Sequence, residues 1–180
     1  MLNEVSYRAI EVSDAEFVYN LVTIPENQFM IPRFMVGCSL HRIRHFIAGE
    51  HLDSNNTKWL ILMNGENKVG IGSIHDYYPL HRRASVYWIL DWTVGYSQDS
   101  LKHFATALIN QCFQDLGLHR IQMQCYEFET GLKEMFIACG AVEEAVLFND
   151  VFIYGKSWKK YIYSILFPEW SKTIYIPIIK

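Results

Sequence analysis

The sequence predicts a single mixed α/β (α+β) domain on three observations. Residues 101–116 repeat apolar side chains at helical spacing, residues 58–78 hold two apolar runs around an Asn-Gly turn, and β-rich runs flank the helical stripe on both sides. At 180 residues, with 51% apolar and 19% charged side chains, the chain can bury one sizeable core without needing staples. No repeat, low-complexity tract or Pro/Gly/Ser-rich linker divides it, so residues 1–180 are read as one domain.

The elements follow in order. "VSYRAIEV" (5–12) alternates like a first strand, and Ser13 with Glu16 is spaced as a capping box for a helix through "FVYNLVT". "IPENQFMIPRFMVGCS" (24–39), with Pro25, Pro32 and Gly37, reads as a long ordered loop of the kind that often lines sites. Ser39 can then cap a second helix, "LHRIRHFIAGEHL". "NGEN" at 64–67 joins two antiparallel strands, and "ASVYWILDWTVGY" (84–96) is a further strand, long enough to bulge or to end early. Leu101, Phe104, Ala105, Leu108, Ile109, Cys112, Phe113 and Leu116 form one stripe of a four-turn helix that Gly117 can stop. "HRIQMQCY" (119–126) returns as a strand with Ile121, Met123 and Cys125 on one face. Leu132, Met135, Phe136 and Cys139 mark another helix, ending at Gly140, and two β runs, 143–153 and 158–167, flank "YGKS". The apolar tail, 171–180, is limited by Pro177 to an edge or extended role.

Composition narrows the partners. With a net charge of −3 and both signs interspersed, no basic surface suggests nucleic acid or membrane, and neither is expected. Cys38, Cys112, Cys125 and Cys139 stand far apart with no metal-ligand spacing, so reduced thiols and no metal are expected. The N-terminal residues lack the layout of a signal peptide, and no apolar run approaches the roughly 20 residues of a membrane span. The expected compartment is the cytoplasm.

The order β, α, α, three meandering strands, α, β, α and two closing strands resembles the GNAT N-acetyltransferase superfamily over nearly the whole chain. The resemblance is carried by "FATALINQCFQDLGLHRIQMQCYEFETGLKEMFIACGAVEEAV" and by the closing "YGKSWKKYIYSILFPEW". Within the superfamily the chain is most similar to the branch of ribosomal-protein, sugar and antibiotic N-acetyltransferases. The resemblance implies a GNAT-like, mostly antiparallel central sheet splayed between strands 4 and 5 and flanked by helices. It implies acetyl-CoA as co-substrate, with pantetheine along Ile89, Leu90, Asp91 and Trp92 of the fourth strand. The pyrophosphate would meet Gln98, Leu101, Lys102, His103, Phe104 and Ala105 at the start of the long helix.

Two motifs differ from the family's pattern. Family members open the long helix with Gln/Arg-x-x-Gly-x-Gly/Ala, whose amides hold the pyrophosphate. Here Gln98 fills the first position, but Leu101 and His103 stand at the glycines. Glycine lets an anion approach helix-terminal amides closely, and a Cβ hinders that approach. Asp99 or Ser100 is typed as the helix N-cap, and a capping aspartate would fill the anion's place, whereas Lys102 and a protonated His103 would supply cationic donors. The family's Asn-x-x-Ser and tyrosine general acid map onto Glu129, Leu132 and Phe136, so that acid is not carried over.

Candidate bases are Asp91 on or after the fourth strand, His75 and Asp76 on the third, and Glu127 or Glu129 after the fifth, with Asp91, His75 and Glu129 in the lead. Each has a structural alternative: Asp91 can satisfy a bulge, His75 can be a hydrogen-bonded pocket histidine, and Glu129 can be an acid favoured at a helix start. Tyr163 falls where the family places substrate-facing aromatics, although core packing suits it equally. The leading reading is direct transfer of an acetyl group to a primary amine of a small molecule, sugar or peptide terminus. The alternative is a catalytically degenerate binding or assembly module, and a homodimer through the apolar tail is a further expectation.

Overall fold

A computed structural model describes residues 5–24, 27, 38–50, 57–153 and 155–173. Among the described residues seven strands and five α-helices follow one another as β1 (Val5–Ala9), α1 (Ala15–Thr23), α2 (Leu40–His45), β2 (Lys58–Asn64), β3 (Asn67–Tyr78), β4 (Arg83–Leu90), α3 (Gln98–Asn110), β5 (Arg120–Tyr126), α4 (Thr130–Ala138), β6 (Val142–Ile153), β7 (Lys156–Leu166) and α5 (Phe167–Thr173). Most of the loop at 24–39 and the tail from 174 onward lie outside the described residues, and with that tail its predicted edge role and dimer contact.

The strands form one sheet in the order β1-β2-β3-β4-β5-β7-β6. All neighbours run antiparallel except β4 and β5. That parallel ladder runs only from Arg83↔Arg120 to Val86↔Met123. Beyond it β4 continues against β3 as far as Leu90, and β5 continues against β7 as far as Tyr126. Each half of the sheet therefore keeps its own antiparallel ladder while the twist parts the halves, leaving the forked, mostly antiparallel sheet expected of the sequence.

Both faces of the sheet are covered. Ile61, Ile71 and Ile89 pack with Ala15, Val18, Leu21 and Val22 of α1 and with Ile43 of α2. On the opposite face Leu60, Leu62, Ile74, Val86, Trp88 and Leu90 pack with the stripe of α3 and with Leu132, Met135 and Phe136 of α4. A buried relay locks the second face: Trp88 Nε1 donates to Tyr7 Oη at 2.7 Å, and that hydroxyl donates to Phe104 O at 3.1 Å. Gly72 makes room for it, since a Cβ there would lie 2.6 Å from the Tyr7 ring.

Local chemistry departs from the sequence reading at four places. Ser13 and Glu16 form no capping box. Asp14 instead accepts from Glu11 N–H at 2.9 Å and pairs with Arg8 and Lys68, each at 2.7 Å, because its side chain is fully buried where β1 turns into α1. The second helix is shorter than its sequence pattern: after Ser39 caps it at Arg42 N–H, the coil widens at Phe46–Glu50, where Gly49 takes φ 121°. Ser97, not Asp99 or Ser100, caps α3, its Oγ accepting from Ser100 N–H at 3.2 Å. Residues 167–173 form a short helix that buries Trp170, whose Nε1 donates to Asn110. Cys112, Cys125 and Cys139 are buried, and burial pushes each thiol up to about 12.

Candidate active site

The fork between β4 and β5 exposes strand backbone inside an otherwise filled sheet. Asp91 N–H donates to Val69 O at 3.2 Å, and a Cβ on Gly70 would come within 2.5 Å of Ile89 O, so both peptide groups point toward β3. Peptide groups alternate in direction along a strand, which turns those of Trp88 and Leu90 toward the fork. Their side chains, like that of Ile89, are buried. This stretch can therefore meet a ligand in the fork through backbone groups.

Glu129 sits at the vertex. It follows β5 through a turn in which its N–H donates to Tyr126 O at 2.9 Å. Its carboxylate reaches both halves of the sheet, Oε2 accepting from Tyr126 N–H at 2.7 Å and Oε1 from Tyr87 Oη at 3.3 Å. The side chain is 7% exposed, and burial pushes its carboxyl up to about 7 even though those two donors pull the other way. A carboxylate poised near neutrality between two separating strands has the proton affinity of a general base. Tyr87 lies on the α1/α2 face, and burial with the adjacent carboxylate raises its phenol well above the usual value.

The other two candidate bases stand elsewhere. Asp91 lies at the end of β4, where Oδ1 accepts from Thr93 N–H at 3.1 Å and from the Thr93 hydroxyl, holding a turn. His75 pairs with Ser85, below the fork, and its Nδ1 lies 3.2 Å from Asp76 Oδ2. A separate polar pocket of about 300 Å³ opens nearby among Asp76, Arg83, Ser85, Arg120 and Gln122. The three residues therefore do not form one cluster, and Glu129 is the one at the fork.

Trp92 reaches from the end of β4 to the start of α4. A Cβ on Gly131 would lie 2.6 Å from its ring, so the indole rests on the α4 backbone across the mouth of the fork. Tyr96 packs edge-on against Trp92 and Phe104, with ring centroids 5.9 and 5.2 Å apart, and its hydroxyl donates to Val69 O.

At the start of α3, Leu101, Phe104 and Ala105 are buried, with Leu101 N–H donating to Ser97 O and Phe104 O accepting from Tyr7, whereas Gln98, Asp99, Lys102 and His103 are exposed. Gln98 Nε2 donates to Glu134 on α4, and His103 Nδ1 lies 2.6 Å from Asp99 O. Asp99, Lys102, His103 and Thr106 then line a groove of about 650 Å³ between α3 and α4, closed by Ile137 and Cys139. Tyr163, by contrast, is 1% exposed, packs on Phe136 and donates to Glu143, which makes it core material.

The sequence reading did not single out Tyr87 as a site residue. Its signal was weak, because it is one more aromatic in a β-rich run, and only the fork's position makes it the neighbour of Glu129. Asn27 was passed over inside the long loop. It is 1% exposed, and its Nδ2 donates to Leu21 O at 2.9 Å and to Leu90 O at 3.0 Å.

The family model described as an acetyltransferase (GNAT) domain matches residues 5–142. A spermidine N-acetyltransferase from Vibrio cholerae, solved in complex with CoA and spermine, superposes with a TM-score of 0.80 at 20% identity over 92% of this chain and 97% of that one. A dodecameric spermidine N-acetyltransferase from Vibrio cholerae gives 0.77 at 21% identity, covering 98% of both chains. A probable acetyltransferase gives 0.75 at 19% identity over 94% and 99%. At these identities the structural likeness establishes the fold. No curated protein matches the sequence.

Proposed function

This chain belongs to the GNAT acetyltransferase family and is an N-acetyltransferase, and on that premise we propose that it transfers an acetyl group from acetyl-CoA directly to a primary amine of a small molecule, sugar or peptide terminus. The observation that carries the reading is the buried Glu129 carboxylate at the vertex of the fork, beside the strand edge that β4 leaves open. A thioester laid along that edge meets the backbone of Trp88 and the N–H of Leu90. The groove beside Lys102 and His103 receives the phosphates. Leu101, Phe104 and Ala105 are turned into the core and leave that contact to the exposed side chains of the helix, and Trp92 moves off Gly131 to admit the pantetheine.

In the reaction the amine nitrogen forms a C–N bond to the carbonyl carbon, the C–S bond breaks, and the sulfur leaves as thiolate. Glu129 takes the proton that the amine gives up. Phe136 has no proton to donate, so water protonates the thiolate. Most of the acceleration then comes from holding the two reactants together, as expected where acid catalysis is missing. Asp91 holds the turn after β4, and His75 sits beside Asp76 below the fork. The spermine-bound relative supports an amine acceptor in this fold and leaves its identity here to experiment.

The test is thermal stability with and without CoA, followed by thiol release from acetyl-CoA across a panel of amines. A ligand that binds the folded state alone must raise the midpoint. A rise together with amine-dependent thiol release is expected. No rise at millimolar CoA would overturn the reading, and a rise without thiol release for any amine would favour the binding module.

A further inference from the structure

Three buried side-chain oxygens among the described residues have no hydrogen-bond partner: Asn64 Oδ1, Gln111 Oε1 and Asn27 Oδ1. Asn64 belongs to the β2–β3 hairpin and Gln111 to the wide turn after α3, both away from the fork. Asn27 is different because of what its amide nitrogen does. Both Nδ2 protons are committed to carbonyls, those of Leu21 and Leu90, so the oxygen's orientation is fixed by chemistry: a flipped amide would set oxygen against oxygen. Leu90 O is one of the groups that point into the fork. The orphan oxygen is therefore held beside the open edge of β4, in a residue that is 1% exposed. A buried carbonyl with no donor is a costly feature in a folded chain, and a ligand N–H would remove that cost.

We propose that Asn27 is a ligand-positioning residue of the fork, its Oδ1 accepting a hydrogen bond from an N–H group of a bound reactant. Leu90 O is occupied by Asn27 and withdrawn from ligand contact, so Asn27 extends the strand edge by one acceptor on the α1 side. Two reactants carry a suitable donor, the acceptor amine and the amide groups of the pantetheine arm. The inference rests on the proposed reaction for the identity of those ligands.

The experiment follows the side-chain amide resonances of Asn27 in the wild-type protein during titration with CoA and then with the amines of the panel. It is paired with kinetics of Asn27→Leu and Asn27→Ala. A shift of the Asn27 signals on adding CoA, with CoA affinity about ten-fold weaker in Asn27→Leu, places the contact on pantetheine. A shift only on adding amine, with amine KM raised about ten-fold and CoA affinity unchanged, places it on the acceptor. In that case the wild type should also favour a primary amine over its N,N,N-trimethyl counterpart in binding more strongly than the variant does. If Asn27→Leu does not fold, Asn27→Ala and the wild-type resonances still decide. Asn27 signals that respond to neither reactant, or variants with CoA affinity and amine KM within two-fold of wild type, would overturn the assignment. Normal Asn27 responses without thiol release would overturn the reaction alone.

Discussion

Replacing Glu129 by Gln removes a charge that the fold buries while preserving the shape that the fork needs. Its Oε1 can still accept from Tyr126 N–H, and its Nε2 can donate to Tyr87 Oη. In the wild type the carboxyl titrates near 4.5 when unfolded and about 7 when folded. Between those values the native state binds more protons than the unfolded one, so stability falls as pH rises, and the whole loss is present above about pH 7. The difference corresponds to about 3 kcal/mol at most. Gln also gives up charge-assisted hydrogen bonds, so Glu129→Gln should be more stable than wild type at pH 8 by about 1–3 kcal/mol. For a chain of this length that is a midpoint higher by roughly 2–10 °C. At pH 4 the two proteins should melt together. Thiol release at pH 8 should fall by about 10²–10⁴-fold, the usual contribution of a general base. Calorimetric melts from pH 4 to 8 and steady-state kinetics on the same samples test both halves. A midpoint difference that does not change with pH would refute the buried-charge argument, and activity within two-fold of wild type would refute the base.

Other expectations rest on single contacts. Gly131→Ala should destabilise the protein by about 1–3 kcal/mol in urea melts, because its Cβ would strike the Trp92 ring. In a Trp92→Ala background the same change should be neutral or favourable, since Ala is the better helix former by about 1 kcal/mol. Asp99→Asn removes an exposed negative charge from the first turn of α3 and should tighten CoA binding by about two- to five-fold at low salt, with less effect at high salt, by calorimetric titration. Asp14→Asn should lower stability at pH 7 by about 1–3 kcal/mol, because Arg8 and Lys68 lose a fully buried partner. The Asp14 carboxyl is held well below its ordinary value by those cations despite its burial, so its contribution is lost only as pH falls below about 4, and the difference between the proteins should shrink there.

How far the sequence could be read depended on the range of the interactions involved. The stripe of α3, the Asn-Gly hairpin and the alternation of β5 are local periodicities, and the structure has each where the pattern sets it. Caps were harder. Ser13, Asp99 and Ser100 were equally well typed, yet the chain's path has Asp14 accepting from Glu11 N–H ahead of α1 and Ser97 capping α3. The helix at 167–173 was hidden because a proline and few apolar positions leave it no visible period, and it forms around the burial of Trp170.

By itself, the sequence determined the order of elements, the stripes they bury and the family resemblance, because each is written in spacings of a few residues. Only the tertiary structure gives Asp91, His75 and Glu129 different surroundings. Those three carboxyl and imidazole groups are equivalent on paper, and what separates them is where β4 leaves β5. That parting point buries Glu129 against Tyr87, 42 positions away in the chain, while Asp91 closes a turn and His75 lies below the fork. Proton affinity depends on burial and on neighbours brought from distant segments, and no local pattern of residue types records either.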